Sequence, residues 1–236
     1  MQDPAGLARL LAGAGYFADQ GVATAAYLAL ALPRPLFLEG EAGVGKTALA
    51  HALSTVVGAE LLRLQCYEGI DASQALYDWD FPRQLLHLRA AESAGAASGA
   101  GDADRLEHEV YSRRFLLARP LLAALETSPA VLLVDEVDRA DDEFEAFLLE
   151  VLSDYTVTVP ELGTVRADVP PVVVVTSNRT REVHDALKRR CLYHWVEHPR
   201  FEREVEIVRA RVPEASASLA AQVAQAVAVL RSQDLL

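Results

Sequence analysis

The sequence predicts a three-layer α/β domain, with a central parallel sheet flanked by helices, and three observations predict it. Short apolar runs recur between segments of helical spacing: PLFL at Pro35–Leu38, VLLV at Val131–Val134 and VVVV at Val172–Val175. Each is too short for a helix and suits a strand covered on both faces. A glycine-rich loop, GEAGVGKT at Gly40–Thr47, joins the first run to Ala48–Val57, a segment free of Gly and Pro that can open a helix. Strand, loop, helix is the context a phosphate-binding loop requires. The second run ends in two carboxylates, Asp135 and Glu136, at the end of a strand where open α/β sheets bind their ligands.

The chain has 236 residues, 51% hydrophobic and 24% charged, enough for one large α/β domain or one domain with a small appendage. No apolar run approaches the ~20 residues of a membrane span. The opening MQDPAG carries no basic stretch of the kind that starts a signal peptide, so a cytoplasmic protein is expected. With 22 Lys and Arg against 34 Asp and Glu, the net charge is −12. That balance lacks the phosphate attraction on which most nucleic-acid binders rely. Cys66 and Cys191 belong to no CxxC pair and fall in expected strands, where reduced cysteines act as small core hydrophobes.

Taken in order, Leu7–Leu32 is Ala- and Leu-rich with interrupting glycines and reads as two helices ending before Pro33 and Pro35. After the glycine-rich loop and its helix, Glu60–Cys66 alternates like a strand, and Tyr67–Leu88 is mixed, ending in a helix from Pro82. Its aromatics Tyr67, Tyr77, Trp79 and Phe81 are expected to pack locally. Residues 90–104, AAESAGAASGAGDAD, are low-complexity and read as a flexible surface loop. Helical spacing resumes at Leu106–Leu125, broken at Pro120. It returns at Asp142–Asp154 through Phe144, Phe147, Leu148 and Val151. Thr156–Asp168, turning at Gly163, reads as a β-hairpin. After the VVVV strand, Glu182–Arg190 is a short helix and Cys191–Val196 a last strand, so residues 1–200 form the α/β unit. Residues 201–236 have room for about two helices, read as the start of a helical lid cut short.

The loop types carry the first piece of chemistry. A polyphosphate is gripped by backbone N–H groups from Gly40, Glu41, Ala42, Gly43, Val44, Gly45, Lys46, Thr47 and Ala48, and side chains at Gly43 and Gly45 would hold the chain away from it. Lys46 adds a positive point charge, and Thr47 offers a hydroxyl to Mg²⁺. Asp135 is placed to hold the same Mg²⁺, and Glu136 to orient and deprotonate an attacking water. The bland alternative for the Asp-Glu pair is a helix N-cap. Asn178, just after the VVVV strand, can reach the γ-phosphate or the lytic water; otherwise it is a turn asparagine. Arg189 and Arg190 close the short helix, as a surface charge pair or as cations for a neighbouring subunit's transition state. No guanine-reading Asn-Lys-x-Asp occurs, so ATP is expected rather than GTP. His194 and His198 have the spacing of helical zinc ligands but lie in and beyond a strand, where four residues span about 13 Å and cannot share a metal.

GEAGVGKT, VLLVDEVD, VTSNRTRE and DALKRRCLYHW, in this order and spacing, resemble the MoxR family of AAA+ ATPases. The branch most similar is the one encoded with von Willebrand factor A partners near molybdenum-containing CO dehydrogenases, a resemblance extended by LQCYEGIDASQALYDWDFPRQLL. The resemblance implies a three-layer P-loop NTPase core of AAA+ type with a partial helical lid, using ATP and Mg²⁺. It assigns Lys46 and Thr47 to Walker A, Asp135 and Glu136 to Walker B, Asn178 to sensor 1 and Arg190 to the arginine finger, with Arg189 as fallback. The hairpin at 156–168 is similar to the family's pre-sensor insert, and no residue is assigned to sensor 2. A homo-oligomeric ring, a hexamer, is implied, remodelling a von Willebrand factor A protein or a client metalloenzyme as a chaperone does. Rival readings are a nucleotide-binding scaffold with little turnover, and a DNA-linked motor or clamp-loader subunit, which the charge of −12 disfavours.

Overall fold

The computed structural model describes residues 3–93 and 100–233. Two N-terminal helices, α1 (Pro4–Gly13) and α2 (Gln20–Ala31), precede strand β1 (Leu36–Glu39) and helix α3 (Lys46–Val57). Then come β2 (Glu60–Gln65), the short α4 (Ala72–Leu76), β3 (Tyr77–Trp79), α5 (Phe81–Ser93), α6 (Ala100–Val110), β4 (Leu116–Ala118) and α7 (Pro120–Glu126). Strand β5 (Ala130–Asp135) leads through a single 3-10 turn to α8 (Asp142–Asp154) and the hairpin β6 (Thr156–Val159) and β7 (Gly163–Arg166). The chain ends with β8 (Val172–Ser177), α9 (Asp185–Arg190), β9 (Leu192–Trp195), α10 (Phe201–Arg211) and α11 (Ala217–Ser232).

The central sheet runs β2-β5-β8-β1-β9 with every neighbouring pair parallel. Strands β5 and β8 are interior and apolar on both faces, as their unbroken Val and Leu runs require. Edge strand β2 instead alternates, leaving Arg63 and Gln65 at the solvent side. Alternate side chains feed two cores. Leu36, Leu38, Leu133 and Val174 pack under α1, α2 and α3, while Phe37, Leu132, Val134 and Val175 pack under α7, α8 and α9. Helix starts are fixed by aspartate caps: Asp3 accepts from Gly6 N–H at 2.6 Å, Asp19 from Val22 at 2.7 Å and Asp141 from Phe144 at 2.9 Å. Each is worth about 1 kcal/mol.

Two expectations need correction. The stretch 90–104 is helical at both described ends, since α5 runs to Ser93 and α6 starts at Ala100; residues 94–99 lie outside the described residues. Alanine has the highest helix propensity, and its weight in this segment offsets the glycines. The mixed segment from Tyr67 also contains β3, which pairs antiparallel with β4, Tyr77 opposite Ala118 and Trp79 opposite Leu116. Of its aromatics, Tyr77 and Trp79 meet edge to face and Trp79 meets Tyr111 likewise, but Tyr67 and Phe81 are exposed. Smaller differences are the start of α9 at Asp185 and the two cysteines, buried just outside β2 and β9. The expected hairpin forms, with Thr156 opposite Arg166 and Val159 opposite Gly163. Helices α10 and α11 pair with each other through Arg231 and Glu204, and Arg203 ties α10 to the Ala18 carbonyl at 3.2 Å.

Candidate functional site: the C-terminal edge of the sheet

The glycine-rich loop leaves β1 under tight constraint. Gly40 donates its N–H to the Ser177 carbonyl at 3.3 Å, and a Cβ there would lie 2.3 Å from the backbone oxygen of Val196. Gly43 and Gly45 have φ of 78° and 97°, left-handed values that side chains resist. Between them Val44 is buried in the core and anchors the loop. Lys46 opens α3 and folds back, its Nζ 2.7 Å from the Gly40 carbonyl and 2.6 Å from that of Glu41. Burial pushes the pKa of this ammonium down, against the pull of Asp138, Asp135, Glu136 and Glu39. Glu41 pairs with His198 at 2.8 Å, and Ala42 is the exposed tip.

Strand β5 brings Asp135 against the start of α3. Its Oδ1 accepts from the hydroxyls of Thr47 at 3.1 Å and Thr176 at 2.6 Å. Its Oδ2 accepts from Arg63, with Nε at 3.0 Å and Nη2 at 2.5 Å. Glu136 follows in a left-handed conformation, φ 55° and ψ 52°, its N–H donated to Thr176 Oγ1 at 2.9 Å. Its carboxylate is held from three sides. Asn178 Nδ2 donates to Oε1 at 3.0 Å, while Gln65 Nε2 at 3.2 Å and Arg139 Nε at 2.8 Å approach Oε2. Among the described residues no cluster of three or more His, Cys, Asp and Glu could hold a metal by itself.

The sequence-predicted residues therefore fall into two groups. Lys46, Thr47, Asp135, Glu136 and Asn178 converge where β1, β5 and β8 end. Arg189 and Arg190 do not join them. They close α9 at the opposite end of β1, beside Pro33, Arg34 and Tyr155. The Arg34 guanidinium donates to their carbonyls at 3.1 and 3.0 Å, and Arg190 donates to Ser153 Oγ. Sequence reading missed Arg63, Gln65, Arg139 and Thr176. The signal for the first two was available: they stand two apart in ELLRLQC, so they share one face of a strand.

A cavity of about 700 Å³ opens beside the loop, lined by Tyr16, Gly43, Val196, Ile207 and Arg211 among others. Ala48 also lines it; the two carboxylates do not. It lies between the α1–α2 connection, the glycine-rich loop and α10. The donor set suits a magnesium nucleotide: Thr47 and Asp135 present hard oxygens, and left-handed glycines opening a 12-residue helix form an anion cradle.

A parallel sheet with β8 inserted between the strand that launches the glycine-rich loop and the strand that ends in Asp135 defines a domain of the P-loop class, one with an added central strand. More particularly, the chain belongs to the AAA domain family, dynein-related subfamily, whose pattern its residues 35–191 match. Among solved structures it is similar to a "putative ATPase" from Cytophaga hutchinsonii, with a TM-score of 0.53 and 17% identity over 84% of this chain and 55% of that one. It is also similar to a point mutant of RuvB from Thermotoga maritima, with a TM-score of 0.52 and 16% identity over 87% of this chain and 54% of that one. Both likenesses are of fold, and the chain spans about half the length of each. No curated protein matches it significantly.

Proposed function

We propose that the chain binds and hydrolyses Mg-ATP as one subunit of a ring, and uses the cycle to remodel a partner protein. The observation that carries this reading is the Glu136–Asn178 contact at 3.0 Å beside the Thr47–Asp135 contact at 3.1 Å. It sets a water-activating carboxylate, oriented by an amide, next to the oxygens suited to the cation. Backbone N–H groups of Gly40–Ala48 and Lys46 hold the phosphates. The cavity beside the loop has the size and position for the base and ribose. Thr47 and Asp135 would hold Mg²⁺, which would supply positive charge against the phosphates. Glu136 takes the proton of the attacking water and Asn178 keeps that carboxylate aimed. Arg190, with Arg189 as fallback, serves the site of a neighbouring copy, since both lie at the far end of β1. Helix α10, which lines that cavity, and α11, bound to it through Arg231 and Glu204, would serve as the lid.

The resemblance of GEAGVGKT, VLLVDEVD and VTSNRTRE to the MoxR family supports the finer reading: a hexamer acting as a chaperone on a von Willebrand factor A protein during metalloenzyme maturation. Phosphate release from Mg-ATP, measured across protein concentrations, tests the core of it. Specific activity is expected to rise with concentration and to fall at least about a hundredfold in Lys46→Ala, Glu136→Gln and Arg190→Ala. Turnover equal in Glu136→Gln and the unsubstituted chain would sink the hydrolytic reading and leave a binding scaffold.

A further inference from the structure

Asp135 is the acid expected to serve the cation, yet half of its carboxylate is already engaged by a cation of the protein's own. Arg63 reaches across from β2 to Oδ2 with two nitrogens, at 3.0 and 2.5 Å, while Thr47 and Thr176 take Oδ1. Asp135 is 4% exposed at its side chain, and Arg63 is 51% exposed. The pairing is therefore between a buried charge and one that still touches water. Nothing in the fold demands Arg63 for itself. Its backbone pairs with Leu133 in the ordinary parallel register, which any side chain allows. Among the described residues its other hydrogen bond is to Gln65 Oε1, at 2.5 Å, and Gln65 in turn donates to Glu136. A divalent cation that uses Asp135, directly or through a water, must then share that carboxylate with a guanidinium or displace it.

We propose that Arg63 is the built-in counter-cation of Asp135 and sets the affinity of this site for the divalent cation that accompanies nucleotide. This rests on the nucleotide-binding reading of the same site and goes beyond it in naming a residue that regulates metal uptake. Two consequences follow from electrostatics alone. Removing the charge at position 63 strengthens metal binding, and because one partner faces solvent, added salt reduces the difference.

The test is a Mn²⁺ titration followed by electron paramagnetic resonance, on the full chain with a non-hydrolysable ATP analogue present. Arg63→Gln removes the charge but keeps an amide donor, Arg63→Ala removes both, and Arg63→Lys keeps the charge. The Mn²⁺ midpoint is expected about three- to tenfold lower in the Gln and Ala variants and near the unsubstituted value in the Lys variant. Potassium chloride raised to about 1 M should shrink the gap. A midpoint that does not move in Arg63→Gln, with the analogue still bound normally, overturns the proposal alone. A weaker midpoint in both Gln and Ala variants also overturns it, by showing that Arg63 only props Asp135 in place. Failure of the unsubstituted chain to bind the analogue removes the nucleotide reading and the proposal with it. A thermal melt and analogue binding without metal, both unchanged in Arg63→Gln, show that the site is intact.

Discussion

Asp138 collects three hydrogen bonds from one short segment: the Asn178 N–H at 3.1 Å, the Thr180 N–H at 2.8 Å and the Thr180 hydroxyl at 2.6 Å. Burial alone would raise its pKa, but the bonds from Thr180 and Asn178 outweigh it and hold the carboxyl below the usual aspartate value. The folded pKa lies under the unfolded one, so this group stabilises the fold above the ordinary carboxylate range and loses that contribution as pH falls through its folded pKa. Asp138→Asn replaces one of the two acceptor oxygens by a donor, turned toward either the Asn178 N–H or the Thr180 N–H, and should cost about 2 kcal/mol at pH 7. In urea titrations the gap between the two proteins should close below about pH 4. A gap that stays constant down to pH 2 would contradict the assignment. At the two cysteines burial acts in one direction, pushing both thiols up to about 12. A disulfide reagent at pH 8 should therefore titrate neither within minutes until denaturant is added.

At the scale of elements, α9 is a short support for Arg190, the residue proposed to serve a neighbouring copy. It has six residues, too few to be stable alone, and Arg34 bonds its last carbonyls. Arg34→Ala should leave nucleotide binding unchanged and lower turnover about tenfold by loosening Arg190; equal loss of binding and turnover would instead mean general damage. Elements with a local signal were legible in the sequence. The β5 and β8 runs, the hairpin at Gly163 and the start of α3 each carry their own periodicity or turn chemistry. Strands β3 and β4 carry none, because three residues exist as a strand only once Tyr77–Trp79 meets Leu116–Ala118 from across two helices. The candidate site was legible where a motif has fixed order, as in Gly40–Thr47. It was not legible where a contact depends on which strands become neighbours: Arg63 meets Asp135 only because β2 pairs with β5.

Over the whole molecule, the Lys46–Glu136 group and the Arg189–Arg190 pair occupy opposite ends of β1, so a site completed by a second copy needs a head-to-tail contact that closes into a ring. This gives a complementation prediction. Arg190→Ala and Glu136→Gln, each inactive, should recover about a quarter of full turnover when mixed equally and allowed to exchange, because a quarter of random junctions place an intact Glu136 beside an intact Arg190. No recovery after demonstrated exchange would confine Arg190 to its own subunit. With a net charge of −12, copies repel one another at long range, and assembly should strengthen with moderate salt.

Strand β8 holds a position whose effect is metric. It separates β1, which launches the phosphate loop, from β5, which delivers the carboxylates, and so keeps them two strand spacings apart, about 10 Å. The same strand fastens Asp135 through Thr176, and Asn178 directly after it fastens Glu136. It is thus both gauge and clamp: a one-residue slip of β8 would turn Thr176 to the other face and detune both acids in a single movement.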